Sequence, residues 1–472
     1  MNVVLLTIIV YLAICIAIGV YGKTKTHTAV GFLIANRRMP WWVASVSIAA
    51  TLIGSGVTIG VGELGYSVGI SGVLYPLCLA FALIICMWLA AFRFRRSEAY
   101  TIPELFERYY GAESRAWVAV AKLIPLISML AGQFLASGVI FSAVTGLPLR
   151  LCIHITAAII ILYVCIGGIW AVSLTDFFQT IVIYTGLITL AVVTCVKFGG
   201  WSTLLSQLPP GHSNWLAAGR YRLSSYIGCV LMFWFISQPW LQRCAASKTP
   251  REAKKAGLLA VLFVFPIGFL AVFAGLVARL KLPGIDPSQA VPLAMLEFFP
   301  PVVGGVFCAG IIAACMSCSD SWLHASATIV VKDIYERFFD KGVTDHEVFA
   351  LSIVACAAIG ALGWILSLIA SQEIVSLVLL FVAFQPIYIG PLLSAWFCRR
   401  RRLTRWSAFG NVAVATVIAA IFTFHQPPLW GLHPVIPTAL VAYGLTALCL
   451  VLPYTSCRIE SDIGKTRKND RD

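Results

Sequence analysis

Charge is scarce in this chain: only 11% of its 472 residues are Asp, Glu, Lys or Arg, and 7 are histidine. A water-soluble domain ordinarily carries about a quarter of its residues as charges, so a soluble globular enzyme or binding module is excluded. Clustered cysteines are also lacking. The 15 cysteines are scattered through apolar stretches, and the C-x-x-C at Cys315 and Cys318 lies inside one of them. Neither a disulfide framework nor a zinc site follows. No nucleophile–base pair or metal-ligand set stands out, which argues against an enzyme. Polar stretches are short as well: 197–222 and the tail after Pro453 are too small for a soluble domain. A fused signalling module is therefore not expected.

What is present in excess is apolar surface, at 60% hydrophobic residues and a mean hydropathy of +0.90. About 20 apolar residues cross one bilayer. Thirteen stretches qualify, at about 2–20, 41–62, 70–92, 118–142, 149–169, 176–196, 223–241, 257–279, 302–328, 348–370, 374–397, 407–424 and 434–453. An all-α polytopic membrane protein is the expected fold class. The first stretch lacks a basic leader and a small-residue cleavage site, and Lys23 and Lys25 follow at once, so it reads as a retained helix.

Assigning successive loops to alternate sides collects most Lys and Arg on one of them. That side holds Lys23, Lys25, Arg37, Arg38, the Arg93/Arg95/Arg96 group, Arg243 to Lys255, Lys332, Arg337, Lys341, Arg399 to Arg402 and the tail. By the positive-inside rule it is cytoplasmic, which places the N-terminus outside (extracellular or periplasmic), the C-terminus inside, and the protein in the cell (inner or plasma) membrane. The net charge of +14 is then a topology signal. Short juxtamembrane clusters do not make a nucleic-acid face; the bilayer and a small solute are the expected partners, and no obligate protein partner is inferred. Trp41, Trp42, Trp201 and Trp406 read as interfacial anchors, and His154 and His324 as packing residues.

Two stretches carry chemistry. Residues 302–335 place Ser317, Cys318, Ser319, Asp320 and Ser321 near the middle of a span. A charge at a helix centre costs roughly 2.5 to 3.5 kcal/mol to insert, so an intramembrane Asp points to ions, protons or substrate, against the plainer alternative of a helix-packing hydrogen bond. Residues 41–69 interrupt an apolar span with Gly54, Ser55, Gly56 and Thr58, followed by Gly60, Gly62 and Gly65. Either a tightly packed small-residue face or a broken helix follows, and secondary transporters use the carbonyls freed at such breaks to bind cations.

Five motifs in order carry a family resemblance over about 1–424. SIAATLIGSGVTIG (47–60) resembles the broken first core helix of the solute:sodium symporter family, and GGIWAVSLTDFFQTIVIYTG (167–186) its entry into the fifth. WLQRCAASKTPREAKKAG (240–257) resembles its basic cytoplasmic loop, and MSCSDSWLHASATIVVKDIY (316–335) its eighth core helix. YTIPELFERYYG (100–111) completes the set. The resemblance, to a bacterial-type member, implies thirteen transmembrane helices with a 5+5 inverted-repeat, LeuT-like core. Its expected division is an extra helix and cytoplasmic loop in 1–40, a first repeat in 41–196, an extracellular loop in 197–222, a second repeat in 223–397, two helices in 398–454 and a cytoplasmic tail in 455–472.

It also implies Na+ as coupling ion. Carried over residue by residue, the sodium ligands fall on the carbonyls of Ala50, Ile53 and Ala314 and on the side chains of Ser317 and Cys318, with Asp176 near the inner sodium path. Cys318 departs from the pattern, because sodium favours oxygen over a thiol. Asp320, one turn from Ser317, is a possible proton or ion site. The solute cavity and gate map to Val57, Thr58, Phe233, Trp234 and Gln385. Val57 and Pro76 stand where sugar carriers place polar contacts, which argues against a sugar. An amino acid, monocarboxylate, vitamin-like acid or amine fits better. A sodium symporter is the expected function; a proton-coupled symporter acting through Asp320, or a membrane solute sensor, is the alternative.

Overall fold

The structure is a computed structural model that describes residues 3–231, 236–340, 342–369, 386–398, 403–424 and 432–451. Its regular elements there are helices, beginning with α1 (Val3–Lys23) and the short α2 (Ala29–Ile34). α3 (Trp41–Leu52) stops at the expected break, and a π turn (Gly56–Gly60) leads into α4 (Val61–Val68). α5 (Leu74–Cys86), the π turn Met87–Ala91 and α6 (Phe92–Ser97) then run on to α7 (Ile102–Tyr110) and the long α8 (Ala112–Thr145).

α9 (Leu149–Lys197) has 49 residues, about 74 Å at 1.5 Å per residue, more than twice a hydrocarbon core of roughly 30 Å. It resolves into two spans because Gly168 leaves helical geometry (φ 54°, ψ −147°). A side chain there is excluded twice over, by the positive φ and by Phe32 Cδ2, which a Cβ would approach to 2.7 Å. The sequence expectation of separate spans at 149–169 and 176–196 therefore has its bend at Gly168.

Next come α10 (Trp201–Ser206), α11 (Gly219–Leu231), α12 (Gln238–Ala246) and α13 (Pro250–Lys281). α14 (Ala290–Phe298) is a short helix that hydropathy had left in a loop, and α15 (Pro301–Ile329) continues as a π-helical stretch to Phe339. α16 (Asp345–Ile369), α17 (Ile389–Phe397), α18 (Arg405–Phe424) and α19 (Val435–Val451) complete the described elements. By length and apolarity alone, seven stretches among the described residues are able to cross a membrane. Among the others, the break after Leu52 leaves α3 short, and two expected spans run together across the bend at Gly168.

Local chemistry explains the starts of the polar-side helices. Thr101 and Thr249 cap α7 and α13 by accepting the N–H of Glu104 and Glu252, each at 3.1 Å. α15 lies at the centre, packed on α8, α9, α1, α3 and α16. All of its residues from Phe307 to Ile329 are buried, so its hydroxyls and Asp320 must find partners inside the protein.

One sequence assignment is corrected here. From sequence, Arg243 reads as part of a juxtamembrane basic cluster, and 223–241 as one span. The stretch instead holds two helices, α11 and α12, and α12 is buried from Gln238 to Ala246. Arg243 is only 2% exposed. Arg95 is likewise buried, spending its guanidinium on the carbonyls of Ser247 (2.7 Å) and Lys248 (3.1 Å).

Candidate functional site

At the end of α3 the chain leaves the helix: Ile53 has φ −81° and ψ 44°, and its N–H turns back to the carbonyls of Ala49 and Ala50. Gly54 then lies against α15, where a Cβ would stand 2.6 Å from Cys318 Sγ and 2.7 Å from Cys318 Cβ. Only glycine permits that approach. The approach brings the two helices' oxygens together. Ser317 Oγ is 3.2 Å from the Ala50 carbonyl oxygen and 3.0 Å from that of Ala314. Ala50, Ile53, Ala314 and Ser317 are fully buried, and Cys318 is 3% exposed. The Cys318 sulfur accepts the Trp322 indole N–H at 2.9 Å. Oxygens of this kind, two carbonyls and a hydroxyl, suit a hard cation.

One turn away, toward the start of α3 and the end of α15, lies a second polar cluster. Asp176 of α9 accepts from Ser47 Oγ at 2.5 Å and from Arg243 Nη2 at 3.2 Å. Arg243 also donates through Nε to Ser47 Oγ (2.5 Å) and through Nη2 to Ser321 Oγ (2.5 Å). Thr51 and Ser321 hydroxyls lie 2.9 Å apart. The clusters are joined through Ser321 Oγ, 2.8 Å from the Ser317 carbonyl. Asp176 Oδ1, although buried, has no hydrogen-bond partner among the described residues. A buried carboxylate oxygen left open in this way marks a place for a cation or water.

Asp320 points elsewhere. Its Oδ2 accepts from Tyr163 OH of α9 at 2.7 Å and its Oδ1 from Ser321 Oγ at 3.1 Å. Val57 and Thr58 are buried beside the break, and the Thr58 hydroxyl is spent on the Gly54 carbonyl at 2.9 Å. Phe233, Trp234 and Gln385 lie outside the described residues. His324 bonds the Phe32 carbonyl (2.9 Å), and His154 accepts from Trp364 Nε1 (3.0 Å).

Gln133 was missed from sequence. On α8 it accepts the Ser55 N–H at 3.1 Å, at the broken backbone, while its Nε2 is buried without a partner among the described residues. The signal was available: a lone amide in the apolar run 118–142.

The model of the sodium:solute symporter family matches residues 32–410. The chain belongs to this family. Over 98% of its length it is 25% identical to the sodium/proline symporter of Staphylococcus aureus (strain JH9), covering 95% of that protein. It is 24% identical to the osmoregulated proline transporter OpuE of Bacillus subtilis (strain 168), with 92% of each chain covered. It is 26% identical to sodium/myo-inositol cotransporter 2 of Rattus norvegicus, over 90% of this chain and 71% of that one.

Among solved structures it resembles a Na+-coupled sialic acid symporter in a substrate-bound outward-open state, with a TM-score of 0.79 at 18% identity, covering 94% of this chain and 98% of that one. MhsT in complex with L-phenylalanine follows with a TM-score of 0.55 at 16% identity, over 87% and 99% of the two chains. The fold is thus the all-α, LeuT-like transporter fold. The chain is a multi-pass membrane transporter of a sodium-coupled family and not an enzyme.

Proposed function

We propose that this chain imports a small organic solute together with Na+ by alternating access, and that Na+ is held at the break of α3. The observation that carries this reading is the convergence of the Ala50 carbonyl, the Ala314 carbonyl and Ser317 Oγ, all of them on buried residues. Ile53 contributes the free end of the broken helix, and Cys318 stands where a second hydroxyl would complete the set. Sodium bridging α3 and α15 would stabilise the conformation in which the solute site is formed, and its departure would release the two helices.

Asp176 is the next carboxylate along the inward path. Its open Oδ1 supports a role in receiving the ion, with Arg243 holding the other oxygen until the helices part. Phe233 and Trp234 are assigned to the inner gate, and Gln385 to the cavity, on the family resemblance. Val57, Thr58 and Gln133 line the solute end of the break.

The solute is read from this chain's own residues. Val57 offers no hydrogen bond, and Gln133 offers a single free amide N–H₂, which suits an amino acid, a monocarboxylate, a vitamin-like acid or an amine better than a sugar. Repeats at 41–196 and 223–397, thirteen spans, and an N-terminus outside with the C-terminus inside complete the reading. In the proton-coupled alternative Asp320 would carry the driving ion.

A counterflow screen of labelled solutes in proteoliposomes tests this directly. The reading expects one solute of these classes to concentrate under an imposed sodium gradient. Concentration under a pH gradient in sodium-free buffer would replace it with the proton reading, and solute binding without any transport would make the protein a sensor.

A further inference from the structure

A groove of about 920 Å³ opens at the basic end of the molecule, where the start of α13 meets the end of the α5–α6 helix and α17. Five cations line it: Arg93, Arg96, Arg251, Lys254 and Lys255. No carboxylate lines it, and none of the five has a carboxylate partner among the described residues. Several cations elsewhere at this end do have carboxylate partners. Arg108 meets Glu104, Arg115 meets Glu107 and Asp333, Lys332 meets Glu336, and Arg337 meets Glu107. Five cations without a carboxylate partner thus share one concave place, at a Coulombic cost that a bound anion would relieve.

Aromatic rings set the depth of this charge in the membrane. Trp88, Phe92 and Trp396 line the groove, and rings hold three of the cations: Lys254 lies 5.0 Å from the Trp88 centroid, Lys255 3.7 Å from Trp41, and Arg93 4.4 Å from Phe397. Tryptophan at a span end marks the headgroup level. Below it runs an apolar track. Leu77, Phe81, Ile84 and Trp88 recur every three or four residues on one face and are 41 to 61% exposed, with Leu262 of α13 at 66%.

We propose that this groove is a binding site for an anionic phospholipid of the leaflet on the basic side, its phosphate among Arg96, Arg251 and Lys254 and its acyl chains along Phe81, Ile84 and Leu262. Basic pockets between membrane helices select acidic headgroups in this way. The acyl track favours lipid over free phosphate, which has no use for it.

The test is native mass spectrometry of the purified full chain titrated with phosphatidylglycerol, cardiolipin or phosphatidylcholine. The wild type retains the two anionic lipids in preference to phosphatidylcholine, and inorganic phosphate does not displace them. With Arg96→Gln, Arg251→Gln and Lys254→Gln combined, retention falls about tenfold or more, as the loss of three charges near the headgroup implies. Lys23→Gln with Lys25→Gln, outside the groove, leaves it unchanged. If the triple variant does not fold, Arg96→Gln with Lys254→Gln carries the same test, with a loss of about fivefold or more. Equal retention of anionic and neutral lipid by the wild type, equal retention by the groove variants, or displacement by inorganic phosphate would overturn the proposal.

Discussion

Ser317 and Ala50 are 267 positions apart in the chain, yet the hydroxyl of the first stands 3.2 Å from the carbonyl oxygen of the second. Two helices have to be brought within backbone distance for this, and the contact of Gly54 with Cys318 shows what permits it. The same approach puts the Ser317 hydroxyl in direct contact with α3.

Cys318→Ser is expected to lower the sodium concentration for half-maximal uptake. A hydroxyl is a harder ligand than a thiol and still accepts the Trp322 N–H. Threonine is a poorer choice, since its methyl would press on Gly54, which already leaves no room for a Cβ. An unchanged or raised sodium requirement in Cys318→Ser would show that the 318 side chain does not face the ion.

Arg243 and Asp176 form an ion pair that is almost fully buried, with side chains 2% and 0% exposed. Removing one partner of such a pair typically costs about 3–5 kcal/mol because the other charge is left stranded. Arg243→Ala should therefore lower the unfolding midpoint strongly, and adding Asp176→Asn should restore most of the loss. Thermal unfolding of the two single variants and the double variant, read as a cycle, measures the coupling; additive losses would contradict the pairing.

Glu107 gives a pH dependence. Burial pushes its carboxyl up, but the guanidinium groups of Arg337 and Arg115 outweigh burial and hold it below the ordinary value. A depressed folded-state pKa stabilises the fold above the unfolded value of about 4.3, and that contribution is lost as pH falls through the folded value. The stability gap between wild type and Glu107→Gln should be constant at neutral pH and shrink only below about pH 4.3. A gap that instead shrinks as pH rises would contradict the sign.

Orientation is tested by labelling in a cysteine-depleted background. A cysteine at exposed Lys248 or Arg251 should react with an impermeant thiol reagent only in opened cells, and one at exposed Ser213 in intact cells. Residues 238–246 are unsuitable probes, because α12 is buried. The opposite pattern would invert the topology.

The break at 53–55 was legible because glycine and serine interrupt an otherwise apolar run, and Ser317 because polar groups mid-span are expensive. The burial of Arg243 was not. Its neighbours Lys248, Arg251 and Lys254 are basic, so charge patterning read it as one of them, whereas only the fold brings Ser47, Asp176 and Ser321 around it. The Tyr163 partner of Asp320 is 157 positions away, a pairing that spacing cannot reveal. Gln133 was readable as a lone amide but needed the neighbouring Ser55 N–H to acquire meaning.

Sodium dependence in Ser317→Ala against Ser321→Ala tests the central claim most directly, through ²²Na+ binding to purified protein and uptake in proteoliposomes over a range of sodium concentrations. Ser317→Ala removes an oxygen from the proposed ion site, so its half-saturating sodium concentration should rise about tenfold or more, in line with a charge-assisted contact of roughly 1.5–3 kcal/mol. Ser321→Ala loosens the Arg243–Asp176 cluster and should slow turnover while leaving sodium affinity within about twofold, well under the 1.4 kcal/mol that a tenfold change represents. Wild-type sodium affinity in Ser317→Ala, with uptake still driven by sodium, would contradict the account.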